Sequence, residues 1–376
     1  MNDAAACEDT LASATRSLDA WIVQNLDHFS PFGGEQGDKL CYKLKAFDEL
    51  CMYLSIGEER TRATIPREMH DFVSSVCANA RYLSTVVSSP RELLLYIYPI
   101  IYMVQKRLPS WREMRAYAIS VFSSDFYFST ERLPCRILDA LFCLWQLDPE
   151  NERMSLFESA WSVGSGAHPP HAGWSTASEY YSYTHSIFFA TKLGLDSHGP
   201  GLNGKSVPQS EDALEFGILR FLSESNIDIA LELMLCQMLL KHKNAIGGSA
   251  LCLSRLFSDI NLQGYAVGPT PAGVELFSDS EKTWFSNYHT SLVAAIALRY
   301  AQGQHLPDLI HSLERQGTSH MKLSALFEVG SMFKRMASGE MTRSSAQGTL
   351  VDLQHDFGPD LTGRIERYLH MLSQIA

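Results

Sequence analysis

The stretch Ser89-Pro90-Arg91-Glu92-Leu93-Leu94-Leu95-Tyr96-Ile97-Tyr98-Pro99-Ile100-Ile101-Tyr102-Met103-Val104-Gln105-Lys106-Arg107-Leu108 decides the fold class. Ser89 reads as a helix N-cap and Pro90 as the first helical residue, where a missing N–H and a fixed φ do no harm. From Leu93 to Leu108 the side chains are apolar nearly all round. A helix of that kind has to be covered on every side, so it belongs to an inner layer shielded by other helices. Pro99, in its middle, predicts a kink.

Working outward, the same 3/4 spacing recurs along most of the chain. Leu11–Leu26 carries Leu18, Trp21, Ile22 and Leu26 on one face. Lys39–Ile56 carries Leu40, Leu44, Phe47, Leu50, Cys51 and Leu54, with Gly57 as its stop. Pro66–Val87, Pro109–Phe122, Arg136–Leu147 and Glu150–Val163 follow as helices. The strongest break is Gly164-Ser-Gly-Ala-His-Pro-Pro-His-Ala-Gly173. Ser175–Leu193 is helical, and a second glycine-rich break runs from Asp196 to Gly204. Helices then fill Glu211–Ser223, Ile227–His242, Ser249–Ile260, Glu281–Ala301, Met321–Met336 and Leu361–Ile375, with a Gly/Pro loop at Gly264–Gly273. Few segments alternate with period two, which argues against a large sheet.

A low-amplitude repeat runs through these helices. Asp48-Glu49-Leu50-Cys51, Asp139-Ala140-Leu141-Phe142-Cys143 and Glu232-Leu233-Met234-Leu235-Cys236 each place an acid just before a cysteine, and the cysteines fall 92 and 93 residues apart. A second motif follows each, aligning Tyr98, His185 and His289. The expected organisation is one all-α domain over residues 1–376. It would hold three four-helix quasi-repeats, at about 36–120, 130–195 and 210–302, and a C-terminal helical closure at 303–376. Antiparallel helix pairs in that number suit a closed α/α toroid of about twelve helices. An open α-solenoid or an irregular helical bundle are the alternatives.

Composition narrows the function classes. The chain has 376 residues, 31 Lys and Arg against 42 Asp and Glu, and a formal net charge of −11. That balance lacks the cationic footprint of a nucleic-acid binder. No apolar run approaches the ~20 residues of a membrane span, and no signal peptide is readable at the start. Eight cysteines lie scattered in apolar segments with no C-x-x-C, which points to free thiols and a cytoplasmic location. No dinucleotide-binding or phosphate-loop motif is read in the chain, so no nucleotide or dinucleotide cofactor is expected.

Polar residues inside apolar helices carry the candidate chemistry. His185 and His289 have hydroxyl or phenol neighbours one turn away, and an imidazole can act as acid, base or metal ligand. Asp139 and Glu232 sit among Leu, Ile and Phe, where a carboxylate needs a partner. His185, His289, Asp139 and Glu232 are therefore the catalytic candidates. Tyr98, Tyr181, Tyr288, Trp284 and His28 are the substrate-facing ones. Core packing, a solvated polar stripe or a helix-end histidine would explain each of them without chemistry. No H-E-x-x-H or EF-hand spacing occurs. A divalent metal, if bound, would use His185 and His289. The sequence supports an enzyme with a helix-lined central cavity, using His/carboxylate acid–base chemistry on a small organic molecule or modified peptide. A non-catalytic scaffold for a protein partner and a binder of an apolar ligand are the other readings.

Overall fold

Leu11, Ala14, Leu18 and Ile22 recur at helical spacing and are all buried, which fixes one face of the first helix, α1 (Asn2–Gln24). The same logic produces helices throughout. The computed structural model describes residues 2–32, 37–60, 64–129, 131–194, 207–240, 247–304, 320–353 and 363–367. Among the described residues there is no strand, and fifteen helices reach seven residues or more. No described helix is long and apolar enough to cross a membrane.

The chain forms two compact units, residues 1–164 with 259–304 and residues 165–258 with 305–376. The first break between them falls at Gly164/Ser165, inside the glycine-rich stretch that the sequence marks most strongly.

The first unit holds α1 and α2 (Gly37–Arg60), α3 (Arg67–Cys77), α4 (Ala80–Ser88), α5 (Ile97–Lys106), α6 (Trp111–Ser123), α7 (Asp125–Phe128), α8 (Pro134–Leu147) and α9 (Phe157–Val163). A much later helix, here α14 (Asp279–Gln304), completes it. Helix α2 packs against both α5 and α14, and α14 also packs against α1. A buried polar triad pins these three helices. Arg299 Nε donates to the Tyr53 hydroxyl at 2.7 Å, Tyr53 donates to Asp19 at 2.5 Å, and Arg299 pairs with Asp19.

The second unit contains α10 (Ala177–Ala190), α11 (Val207–Ser223), α12 (Ile227–Leu239), most of α13 (Gly248–Gln263), α15 (His320–Ala337) and α16 (Arg343–Leu353). Its core joins Phe216 and Leu219 of α11 to Val329, Met332 and Phe333 of α15. Gly330 lies where α15 meets the Leu219 carbonyl, and any Cβ there would run into backbone. Helix α12 is buried nearly all round. A capping box, Thr176 with Glu179, starts α10. The stretch before it is shaped by Arg220, which donates to the carbonyls of Ala172 at 3.1 Å and Ser175 at 2.5 Å.

Three local expectations change. Gly57 does not stop α2, which continues to Arg60; the glycine is used for close packing, since a Cβ would meet Ile65 at 2.8 Å. Leu93–Leu108 is not one helix kinked at Pro99. A 3-10 turn (Pro90–Leu95) ends at Tyr96 and α5 begins at Ile97. Pro99 therefore sits in a first helical turn, where no intrahelical N–H bond is lost. Pro66–Val87 is two helices, α3 and α4, because Asn79 caps a new start through Arg81 N–H. The Asp196–Gly204 break and most of Leu361–Ile375 lie outside the described residues.

Candidate functional site

Helix α14 of the first unit carries His289, and α2 carries the acid that meets it. His289 Nδ1 lies 3.0 Å from Glu49 Oε2. The other Glu49 oxygen is 3.5 Å from Lys45 Nζ, one turn back on α2. Burial works against charge on Glu49, but His289 and Lys45 outweigh it, and the carboxyl is held down to about 2. An anionic carboxylate bonded to Nδ1 sets the ring's tautomer and orientation and directs Nε2 to proton exchange. The His289 side chain is 28% exposed and Glu49 14%, so the ring is reachable while its partner is sheltered.

An aromatic layer lies next along α14. Trp284 stacks on Tyr288 at 5.0 Å, and both meet Phe29 edge-on. His28 lies 5.6 Å from Trp284, with its pKa lowered first by burial and then by the Lys43 charge. Lys43 Nζ sits over the Trp284 ring at 4.4 Å and bonds the His28 carbonyl and Glu281. The structure thus gathers four sequence candidates: Trp284, Tyr288 and His289 on α14, and His28 from the 3-10 turn Leu26–Phe29 against Trp284. Trp284 and Tyr288 are nearly fully buried, so their contacts are those of a packed layer.

Asp139 and Tyr98 occupy a different place in this unit. Asp139, on α8, accepts from Cys143 Sγ at 3.7 Å and pairs with Arg136 at 3.3 Å. The Tyr98 side chain lies beside Cys143, Asp139 and Asp48, and its backbone N–H donates to Asp48 at 3.0 Å. Burial pushes the Asp48 carboxyl well above the ordinary range, and the anions at Asp139 and Glu49 add to it against the Tyr98 N–H. Burial also drives the Cys143 and Cys236 thiols up. The cysteines that mark the repeat are therefore inert packing residues rather than nucleophiles.

In the second unit, α10 and α12 pack together and bring His185, Tyr181 and Glu232 into one group. His185 Nε2 lies 3.8 Å from Glu232 Oε1. Thr184 donates its hydroxyl to the other Glu232 oxygen, and Tyr181 donates to Asp228 at 2.6 Å. Phe188 and Phe189 flank the imidazole at 6.0 and 5.9 Å.

The sequence reading missed Glu49, Lys45, Asp228 and Thr184. Glu49 stands inside the quoted acid–cysteine motif, yet nothing local ties it to a histidine 240 residues away. Asp228 had a readable signal, since it precedes Glu232 by one helical turn. All three aligned positions touch an acid motif: Tyr98 beside Asp139, His185 beside Glu232, His289 beside Glu49.

One expectation needs correcting on the sequence itself. Gly199-Pro200-Gly201-Leu202-Asn203-Gly204-Lys205-Ser206 has the G-x-x-x-x-G-K-[ST] spacing of a phosphate-binding loop, so the expected lack of a nucleotide cofactor does not follow from motif absence. These residues lie outside the described ones. The described segment before them is α10 and a short 3-10 turn, not the strand that such a loop normally follows.

Among the described residues the protein is all-helical, and each unit holds a histidine–carboxylate contact. Residues 14–299 match the family described as Domain of unknown function (DUF6895), and the chain belongs to it. No curated protein and no solved structure matches the chain.

Proposed function

We propose that the protein is an enzyme that performs acid–base chemistry with an oriented imidazole on a small organic molecule or a modified peptide. The observation that carries this reading is the 3.0 Å contact of His289 Nδ1 with a Glu49 carboxylate held down to about 2. A permanent anion at Nδ1 stabilises the imidazolium that forms when Nε2 takes a proton. Glu49 positions the ring, His289 transfers the proton, and Lys45 keeps the carboxylate charged. Seven described cysteines are free thiols, which supports a reducing, cytoplasmic setting; thiol titration of the unfolded, unreduced chain that recovers far fewer than the full set would sink that placement.

Acylation of the imidazole by diethyl pyrocarbonate at about pH 8, above the ordinary histidine range, reports ring nucleophilicity without knowing the substrate. His289 reacts faster in the native protein than in Glu49→Gln. On a panel of esters, amides and modified peptides, His289→Asn lowers turnover by ~10²–10⁴-fold with the helical signal intact. A His289 rate unchanged in Glu49→Gln, or panel compounds bound tightly but never converted, overturns the reading. The second result makes the protein a ligand binder.

A further inference from the structure

We infer that the exposed surface around α7 and the start of α8, in the first unit, pairs two copies of this chain across a two-fold axis. Its apolar residues answer no local need. Leu133 occupies the N-cap of α8, where Ser, Thr, Asp or Asn would accept a backbone N–H. It makes no capping bond and is 62% exposed. Val163, the last residue of α9, is 70% exposed, and Phe126 on α7 is 45% exposed.

These residues share one neighbourhood. A Cβ on Gly164, next to Val163, would lie 3.1 Å from Pro134 Cβ, next to Leu133. Arg132 ties Leu133 to the aromatic turn: its Nε stands 3.5 Å from the Tyr127 carbonyl and its Nη2 3.5 Å from that of Arg91. Arg91 in turn lies over the Phe126 ring at 5.3 Å. Arginine and aromatic side chains are enriched in protein–protein contacts relative to the rest of a surface.

Charge selects the occupant. The chain carries a net −11, so two copies repel wherever their acidic surfaces face each other. Around this turn the signs balance instead. Arg91, Arg132 and Arg153 stand with Glu92, Asp125 and Glu131, and Arg136 answers Asp139. A patch that carries apolar residues and both signs can be complementary to itself, which a two-fold contact requires. A basic partner would be drawn to the acidic remainder of the surface. A stable contact covers about 800 Å² a side, with Phe126, Leu133 and Val163 at its centre and the charges at its rim. Neither Glu49 nor His289 takes part.

Sedimentation equilibrium of the full chain across micromolar concentrations tests the pairing. A monomer–dimer equilibrium is expected. Leu133→Asp and Val163→Asp each weaken it at least about tenfold, with the helical signal unchanged. Leu262→Asp, at a position 76% exposed on α13, leaves it as it was. Where an aspartate variant loses its helical signal, Arg91→Glu reads the same contact from an exposed position and weakens the dimer. A chain that stays monomeric throughout overturns the proposal. So does a dimer that Leu133→Asp, Val163→Asp or Arg91→Glu leaves intact, or one that Leu262→Asp weakens as much as they do. Growth of mass beyond the dimer also overturns it, because a two-fold contact closes on itself.

Discussion

The two histidine–carboxylate contacts use the same residue types and differ in almost everything that gives those residues a role. In the first unit the histidine and glutamate touch at 3.0 Å, and the glutamate is shared with a lysine. In the second they stand 3.8 Å apart, and the glutamate is held by a threonine hydroxyl with another carboxylate one turn away. A direct bond to an anion tunes a ring for proton transfer. In the longer pair the carboxylate is oriented by a hydroxyl rather than by a direct bond to the ring. Residue identity alone does not separate these cases; the partner on the next helix does.

The largest effects come from breaking what holds each pair in place. In the first unit, Arg299→Met leaves Asp19 buried without its cation beside the helices that carry Glu49 and His289. Removing one partner of a buried ion pair costs ~3–5 kcal/mol. In the second unit, Arg220→Met strips donors from the Ala172 and Ser175 carbonyls, a loss of ~1–3 kcal/mol. Urea unfolding of both variants measures the contrast. Equal losses would mean that the Asp19–Arg299 pair is no more than a hydrogen-bonding strut.

How much of this was legible follows the same divide. Helix positions came through because burial at spacing 3 and 4 is a local property: Leu11, Leu18 and Ile22 announce α1 by themselves. Gly57 and Pro99 misled because each was read for its usual effect, whereas Gly57 meets Ile65 and Pro99 falls in a first turn only because Tyr96 breaks the helix. His185, Tyr181 and Glu232 were all singled out from sequence, since their setting among apolar residues is unusual. Glu49 was not, because Asp48 beside it looks equally promising and the deciding contact is with α14.

The next effect is acid lability of the first unit. The Glu49 carboxyl lies at about 2 in the fold against 4.5 ordinarily. A lowered folded pKa stabilises above about 4.5, and that contribution is lost as pH falls toward 2. The shift corresponds to up to about 3 kcal/mol. Glu281, also held at about 2, behaves alike: burial opposes its charge, and Lys43, Lys39 and Ser278 outweigh that. Denaturation midpoints from pH 7 to pH 2 should therefore fall steeply in the native protein and less steeply in Glu49→Gln, which starts lower at neutral pH. Parallel curves for the two proteins would show that the contact with His289 carries no charge, and the contrast between the units would lose its electrostatic half.

The smallest effect is the most discriminating, because it concerns the residue next door. Asp48 precedes Glu49 on α2 and is displaced in the opposite direction, pushed up by burial and by the Asp139 and Glu49 anions. A raised folded pKa contributes stability that is complete below the ordinary aspartate range and is lost as pH rises toward the folded value. Asp48→Asn removes that loss. Its amide oxygen can still accept the Tyr98 N–H, and it has no charge to desolvate. The variant should therefore equal or exceed the native protein by up to ~1 kcal/mol at neutral and alkaline pH, and show no gain near pH 3. Glu49→Gln moves the other way at neutral pH. Opposite signs at adjacent positions would show that the α2 backbone separates a neutral acid facing Tyr98 from an anion facing His289. If Asp48→Asn instead destabilises the protein at pH 8, the Asp48 carboxylate is charged in the fold, and Glu49 cannot be singled out as the anion of this helix.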